Sequence, residues 1–443
     1  MQVASGLNLT GRRIKLQEYG ETVVHSSADI DLRVLDEANR RWRIKLGLPN
    51  SPIRVKNIGN GYVTLRAEGV TGVVRIGDTD IEIAPKFLDA AEDNWQTVLW
   101  RILTIVEGGL IDDTQTTAST VSSLFIPDLL ADMFLSSYAK GASRGLPRSY
   151  LTEQGEGNIL LGQLDTSRLN EWIARPWILP YVSDFLTDDT PLARLLRWSA
   201  ECLAATVKAP GRARALREIV AGLAHVNKRP PQILEAQSIH LGLQHTGLET
   251  ARIVGLMLLD GAGVQHAAGE HRLAGFLWNS NYIYENYVYW LCERAASKRN
   301  HRITKSSVTF AQVIKGKGTR LKTTPDVVFH NANGVAVAVI DAKYKNFSLR
   351  PKASDTYQVL TAGHVLGCPR VSLTYPVDID QEPTTWHVPS ALGGESIELT
   401  ALPINLMKLL KPKGNEDLID FIGNWLIDFP IPSQTLLETY PLR

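Results

Sequence analysis

Two acids and one amine between Thr324 and Lys345 carry the clearest chemistry in this chain: Asp326, Asp341 and Lys343. Between them lies Asn333-Gly334, flanked by apolar and β-branched residues, and an Asn-Gly pair in that setting signals a two-residue type I′ hairpin loop. With Ala332 facing Val335, such a loop puts Asp326 directly opposite Asp341. Opposed residues of an antiparallel pair have Cβ atoms about 4.5–5.5 Å apart, and like charges there are destabilising unless something neutralises them. A divalent cation would do so. Lys343, two residues beyond Asp341, projects to the same face of an extended strand. Hard cations take oxygen ligands, and Mg²⁺ is typically held by one or two carboxylates together with phosphate and water. The chemistry indicated is phosphodiester hydrolysis, in which the metal polarises a phosphoryl oxygen while the lysine positions or activates the water. An Asp-Ala-Lys tripeptide alone is common and carries little weight; the hairpin register, the Pro325 before Asp326 and the helices expected on either side single this one out.

The elements around these residues must hold them. Val327, Phe329, Val335, Val337, Val339 and Ile340 are apolar on both strand faces, which calls for a central strand pair covered by helices. Asn279 to Arg294 reads as one such helix, with Glu285 its only acid before Glu293. A carboxylate among so many aromatic residues needs a partner, or else is an acid favoured near a helix start by the macrodipole. Downstream, Ser354 or Asp355 can cap a helix whose first turns present Tyr357 and Gln358. Between Glu293 and Asp326 there is no acid, while Lys298, Arg299, Arg302, Lys305, Lys315, Lys317, Arg320 and Lys322 all fall there. Beside a metal site these cations suit DNA phosphates and salt-dependent binding, with Lys315 to Gly318 as a flexible tip; the alternative is a solvated loop.

Pro325-Asp326 followed by Asp341-Ala342-Lys343 resembles the PD-(D/E)xK nuclease signature. The fuller wording, Thr324 to Val328 and Ile340 to Lys345, resembles McrC, the nuclease subunit of modified-cytosine restriction systems. Tyr284 to Val288, Asp355 to Gln358 and Ser372 to Pro376 occur in the order that family shows, and Gly157 to Gly162 and Phe185 to Thr190 are similar to its weaker landmarks. The resemblance implies an α/β fold: a restriction-endonuclease-like PD-(D/E)xK core, a mixed sheet flanked by helices, at the C-terminus, after an N-terminal β-domain and a helix-rich middle region. It implies Mg²⁺ or Mn²⁺ held by Asp326 and Asp341, with Glu285 joining directly or through water. Lys343 then orients the attacking water, and Gln358 lies near that water or the DNA backbone. Where the family often has an aromatic residue four positions after this Gln, the chain has Ala362. The resemblance further implies a defence role in cleaving modified DNA, with a McrB-like AAA+ GTPase as partner. Two rival readings are a non-cleaving scaffold that activates the motor and a stand-alone repair nuclease.

At 443 residues the chain exceeds what one core usually holds. It divides into a β-rich domain over 1–88, a helix-rich region over 89–265 and the nuclease domain over 266–443. Strands are expected at Arg13 to Leu16, Ile53 to Lys56, Tyr62 to Arg66 and across a turn at Gly77-Asp78. Helices are expected at Trp95 to Leu103, Leu192 to Leu203 and Gly247 to Leu259, and again at Asp417 to Leu426. Trp172 and Trp177 are read as buried packing and not as a base-stacking pair. A net charge of +1 means that any nucleic-acid surface is a local patch. Cys202, Cys292 and Cys368 are widely spaced and odd in number, which suits a reducing cytoplasm and no disulfide framework. No apolar run reaches the roughly 18 residues that span a bilayer, and no signal peptide is evident. Gly-x-x-x-x-Gly-Lys-Ser/Thr is absent, so GTP enters only through the partner.

Overall fold

The computed structural model describes residues 12–25, 30–76, 79–90, 94–106, 126–260, 273–305, 307–312, 314, 318–347, 349–389 and 396–427. The chain packs as two compact units, one of Met1–Ile83 with Glu107–Trp278, the other of Ala84–Val106 with Asn279–Arg443. Of the three parts expected from sequence, the β-rich and helix-rich ones fall together in the first unit, which extends to Trp278, while 84–106 packs with the C-terminal unit.

In chain order the elements begin with strands β1 (Arg12–Gln17) and β2 (Glu21–His25), helix α1 (Leu32–Lys45), and strands β3 (Ile53–Gly59), β4 (Tyr62–Ala67), β5 (Val70–Ile76) and β6 (Thr79–Ala84). Then come α2 (Asn94–Val106), α3 (Ile126–Gly141), β7 (Ser149–Gly157), β8 (Gln163–Leu164), α4 (Leu169–Ala174) and β9 (Leu179–Thr187). Helices α5 (Pro191–Thr206), α6 (Pro210–Gly222), α7 (Ile233–Gln237) and α8 (Glu249–Asp260) lead to β10 (Leu273–Asn279).

In the first unit two sheets, β2-β4-β3 and β1-β6-β5-β10, share one core that includes Leu16, Ile53, Leu65, Val74 and Ile81. The turn expected at Gly77-Asp78 lies outside the described residues, but β5 and β6 pair antiparallel on either side of it, Val74 opposite Ile81. Gly72 has φ of +136°, and a Cβ there would stand 1.9 Å from the Phe276 carbonyl oxygen, so only glycine lets β5 and β10 come this close. Helix α1 has no counterpart among the expected strands. Asp31 caps it by accepting from the N–H groups of Arg33 and Val34, and Leu35, Ala38 and Trp42 bury one face at helical spacing. Its buried Asn39 bonds both the N–H and the C=O of Ile53, tying helix to strand.

Helices fill much of the stretch to residue 260, with one exception that corrects the expectation: β7, β9 and β8 form a three-stranded antiparallel sheet. Most of β7 is exposed. Tyr150, Leu151, Phe185 and Leu186 on its strands, and Ile159 to Leu161 beside them, are exposed apolar residues. Trp177 is 69% exposed. The burial expected of it fails because it follows α4, a short helix that is itself mostly exposed, while Trp172 on that helix is half-buried.

The second unit adds α9 (Ser280–Lys298), β11 (Arg302–Thr304), β12 (Val308–Ala311), β13 (Leu321–Thr323), β14 (Val327–His330), β15 (Ala336–Ala342), α10 (Ala353–Leu366), β16 (Arg370–Val377), β17 (Thr384–Val388), β18 (Ile397–Asn405) and α11 (Gly414–Ile427). Its main sheet runs β11-β14-β15-β16-β18-β17, with β15, β16 and β18 parallel and the outer pairs antiparallel. Strand β15 is buried almost throughout, as a run without polar alternation requires. Helix α10 packs Val359 and Ala362 against Val328, Val339, Val371 and Leu373. Helices α2 and α11 both pack on α9, where the Tyr287 hydroxyl donates to Asn415 at 3.0 Å. The described helices include none long and apolar enough to cross a membrane.

The β14–β15 hairpin meets its expected register by a different route. Only Gly334 has positive φ, +79°, so the loop is not the type I′ turn expected. Ala332, Asn333 and Gly334 form a three-residue loop, held by the Asn331 carboxamide oxygen accepting from the N–H groups of Asn333 and Val335. This is the type I turn with a glycine bulge that hairpins adopt next most often. One residue gained in the loop is matched by an irregularity in β15: His330 faces Ala336 but Phe329 faces Ala338, leaving Val337 unpaired. The two shifts cancel. Val327 faces Ile340, and the same register carried one residue further sets Asp326 against Asp341.

Candidate active site

Asp326 directly precedes β14 and has one oxygen fixed, since its Oδ2 accepts from the Ala342 N–H at 2.8 Å. The other oxygen lies 3.7 Å from the Lys305 ammonium. Asp341, near the end of β15, is 2% exposed. Its Oδ2 forms an ion pair with Lys343 Nζ but finds no aligned hydrogen-bond donor. Burial pushes the Asp341 carboxyl up to about 6, and Asp326 and Asp355 push the same way against the pull of Lys343. Lys343 Nζ also donates to Gln358 Oε1 at 3.2 Å, so the amine is held between β15 and α10.

Glu285, on the first turns of α9, stands in the same field. Burial raises its carboxyl first, then the charges of Asp326 and Asp341, with Lys305 and Lys343 opposing. Thus all five residues expected at the site, Glu285, Asp326, Asp341, Lys343 and Gln358, interact with at least one other of the set.

Other expectations are corrected. The cap of α10 is Lys352, with no side-chain bond, and neither Ser354 nor Asp355 serves. Asp355 is instead buried and accepts from Lys345 Nζ at 2.9 and 2.6 Å, which places a further carboxylate beside Asp341. A buried carboxylate in the first helical turn finds both an ammonium and a favourable helix dipole there.

The basic stretch divides. Lys298 binds Asp420 at 2.9 Å and approaches Glu416, and Arg299 donates to Asn424, so these two face α11. Lys305 turns to Asp326. Arg302, Arg320 and Lys322 are exposed, and Lys315 and Lys317 lie outside the described residues.

One participant left no signal in the motif pattern. Lys86, between β6 and α2, donates to the main-chain carbonyl of Tyr344, the residue after Lys343. Its only sequence trace is the Ala84-Pro85-Lys86 end of a strand, which says nothing of a partner far downstream.

A metal would find two carboxylates here. Among the described residues no group of three or more His, Cys, Asp or Glu side chains is placed to hold an ion. The donor set that fits a hard cation is therefore Asp326 with Asp341, including the buried Asp341 Oδ2 that lacks an aligned donor. Glu285 stands near the pair by charge.

The family model for the McrBC 5-methylcytosine restriction system component matches residues 65–376. No curated protein gives a match. Among solved structures, a chain of the refined half-complex from a tetradecameric assembly of Thermococcus gammatolerans McrB AAA+ hexamers with bound McrC aligns with a TM-score of 0.60 at 15% identity, over 93% of this chain and 100% of that one. At that identity the likeness speaks to the fold. A chain of the Thermococcus gammatolerans McrBC complex aligns with a TM-score of 0.42 at 15% identity, over 64% of this chain and 88% of that one.

Proposed function

This chain belongs to the family of McrBC 5-methylcytosine restriction system components, and from that premise we propose that it is a Mg²⁺-dependent DNA endonuclease subunit with a PD-(D/E)xK core. The observation that carries the reading is the convergence of Asp326, Asp341 and Lys343 at one end of β14 and β15, with Gln358 and Glu285 brought to them by α10 and α9.

In this reading Asp326 and Asp341 hold Mg²⁺ or Mn²⁺. When bound, the ion polarises a phosphoryl oxygen and makes water more acidic. The protein does the rest. Lys343, fixed between Asp341 and Gln358, donates hydrogen bonds to the attacking water and the phosphate it approaches. Gln358 keeps that ammonium aimed, and Glu285 acts through water and not as a direct ligand. Arg302, Arg320 and Lys322 neutralise flanking phosphates.

The partner we propose is a McrB-like AAA+ GTPase, which chooses modified DNA and hydrolyses GTP. The Thermococcus gammatolerans assembly, described as McrB hexamers with bound McrC, supports this choice. So do the cross-strand pairs Tyr150–Leu186 and Leu151–Phe185 of β7 and β9, which are exposed, because exposed apolar groups of this size commonly mark a protein interface.

The deciding assay measures GTP hydrolysis by the partner and DNA cleavage side by side, for wild type and Lys343→Ala. Cleavage should require GTP and Mg²⁺ together, and Lys343→Ala should stop cleavage yet still stimulate GTP hydrolysis. A wild-type chain that stimulates GTP hydrolysis but never cuts, across a range of modified DNAs, would make this a scaffold.

A further inference from the structure

We infer that Lys86 is a positioning residue for the nuclease site, gripping the main chain just beyond Lys343. The inference rests on the nuclease reading and adds a residue from outside its motif.

Strand β15 ends at Ala342, and past it the chain has few ladder bonds left. The Lys343 N–H reaches Thr374 O and the Lys345 N–H turns back to Lys343 O, each at 2.8 Å. Lys86 takes the carbonyl of Tyr344 between them. Its ammonium also stands 4.3 Å from the centre of the Tyr344 ring and 4.9 Å from that of Phe87. The Phe87 ring meets Tyr344 edge-on at 5.1 Å, and Tyr344 meets Tyr284 at 5.9 Å. Tyr284 immediately precedes Glu285, and Tyr344 immediately follows Lys343. One cation and three rings therefore bracket the two elements that carry the candidate amine and the α9 acid.

A charge-assisted hydrogen bond is directional, and a cation over an aromatic face adds attraction without competing for the carbonyl. Together they resist rotation of the peptide between Tyr344 and Lys345 and hold the Tyr344 ring in place. A shift of Tyr344, the next residue, would carry the Lys343 side chain away from Asp341 and Gln358. Catalytic groups must sit within about 0.5 Å of productive geometry, and a misplacement of about 1 Å can cost roughly 10²-fold in rate. Lys86 acts through the backbone, so its loss should appear in turnover and not in DNA affinity.

The test uses the full chain with its GTPase, supercoiled plasmid DNA and Mg²⁺, and compares wild type, Asp341→Ala, Lys86→Met and Lys86→Arg. Lys86→Met should lower kcat roughly tenfold or more with KM for DNA nearly unchanged, and Lys86→Arg, which keeps charge and donor, should recover most of it. One readout needs no turnover: amide exchange at 342–345 should quicken in Lys86→Met while that in β16 and β18 holds. If Lys86→Met fails to fold, Phe87→Leu, which removes the ring edge and spares the Lys86 donor, should give the same loss of kcat. Wild-type exchange and kcat in Lys86→Met, or a rise in KM alone, overturns the positioning role and leaves the nuclease reading intact. A wild type no more active than Asp341→Ala overturns the nuclease reading, and this inference with it.

Discussion

Asp341 shows how a site can be built against the stability of the protein that carries it. Its carboxyl is buried beside Asp326 and Asp355 and is raised to about 6 in the folded chain. A carboxyl whose folded pKa lies above its unfolded value contributes stability that is complete below the unfolded value and is lost as pH rises through the folded one. Freed of divalent cations, the chain should therefore lose stability between about pH 4 and pH 6 through this group, by up to about 3 kcal/mol. Asp341→Asn should remove that component and be the more stable protein at pH 7.5, while cleaving nothing. Urea unfolding of both proteins at pH 5 and pH 7.5, in chelator, measures the difference. An equal pH response in the two would contradict the burial assigned to this side chain. Asp326 should behave otherwise: because its Oδ2 receives the Ala342 N–H, Asp326→Ala leaves a backbone donor without its partner as well as abolishing cleavage. A stability loss of about 1–3 kcal/mol is expected.

At the scale of elements, strand β15 and helix α10 are tied together beyond their apolar packing. Lys343 reaches Gln358, and Lys345 binds the buried Asp355 with both carboxylate oxygens near its ammonium. Removing one partner of such a pair strands the other. Lys345→Met should destabilise the chain by roughly 1–3 kcal/mol, a figure kept low because the lysine is partly exposed. Adding Asp355→Asn should restore most of the loss, since the amide needs no counter-charge. A double-mutant cycle from thermal or urea unfolding reads the coupling, and additive effects would show that the pair does not hold α10 in place. The hairpin belongs to this scale too. Its register survives because the loop and bulge shifts cancel, and because Val337 is the bulged residue, deleting it should restore a regular ladder with Asp326 still opposite Asp341 and cleavage retained.

For the molecule as a whole, net charge is +1 and DNA binding must be local. Charge reversal at Arg302, Arg320 and Lys322 should weaken binding to every DNA sequence alike and flatten the slope of log affinity against log salt, by about 0.9 for each duplex phosphate that is no longer neutralised. The same reversal at Lys298 and Arg299 should do less to the slope, because α11 already faces them. An unchanged slope in the first variant would return those three residues to ordinary surface. The β7–β9 ribbon predicts a separate defect. Polar replacement of Tyr150, Leu151 and Trp177 should abolish stimulation of the GTPase while Mn²⁺ binding by the chain persists. Retained stimulation would place the motor interface elsewhere.

What could be read in the sequence was local. A turn dipeptide between two apolar strands, with acids at countable distances from it, implied the opposition of Asp326 and Asp341, because strand pairing across a short loop leaves a periodic trace in one short segment. The helix carrying Glu285 and the helix presenting Gln358 were legible for the same reason, as was the absence of a phosphate loop. Only packing among distant segments decided the remainder. That 84–106 joins the C-terminal unit and sends Lys86 to Tyr344 has no periodic signature, since the two sites share nothing along the chain. The fates of Lys298, Lys305 and Asp355 were settled likewise by which opposite charge the fold brought near. Trp177 was read as buried packing and is exposed because it lies between α4 and β9 in a stretch that the fold leaves uncovered. Pairings made across a few residues are written in the order of the chain; those made across hundreds depend on how whole elements pack, and the chain order does not record it.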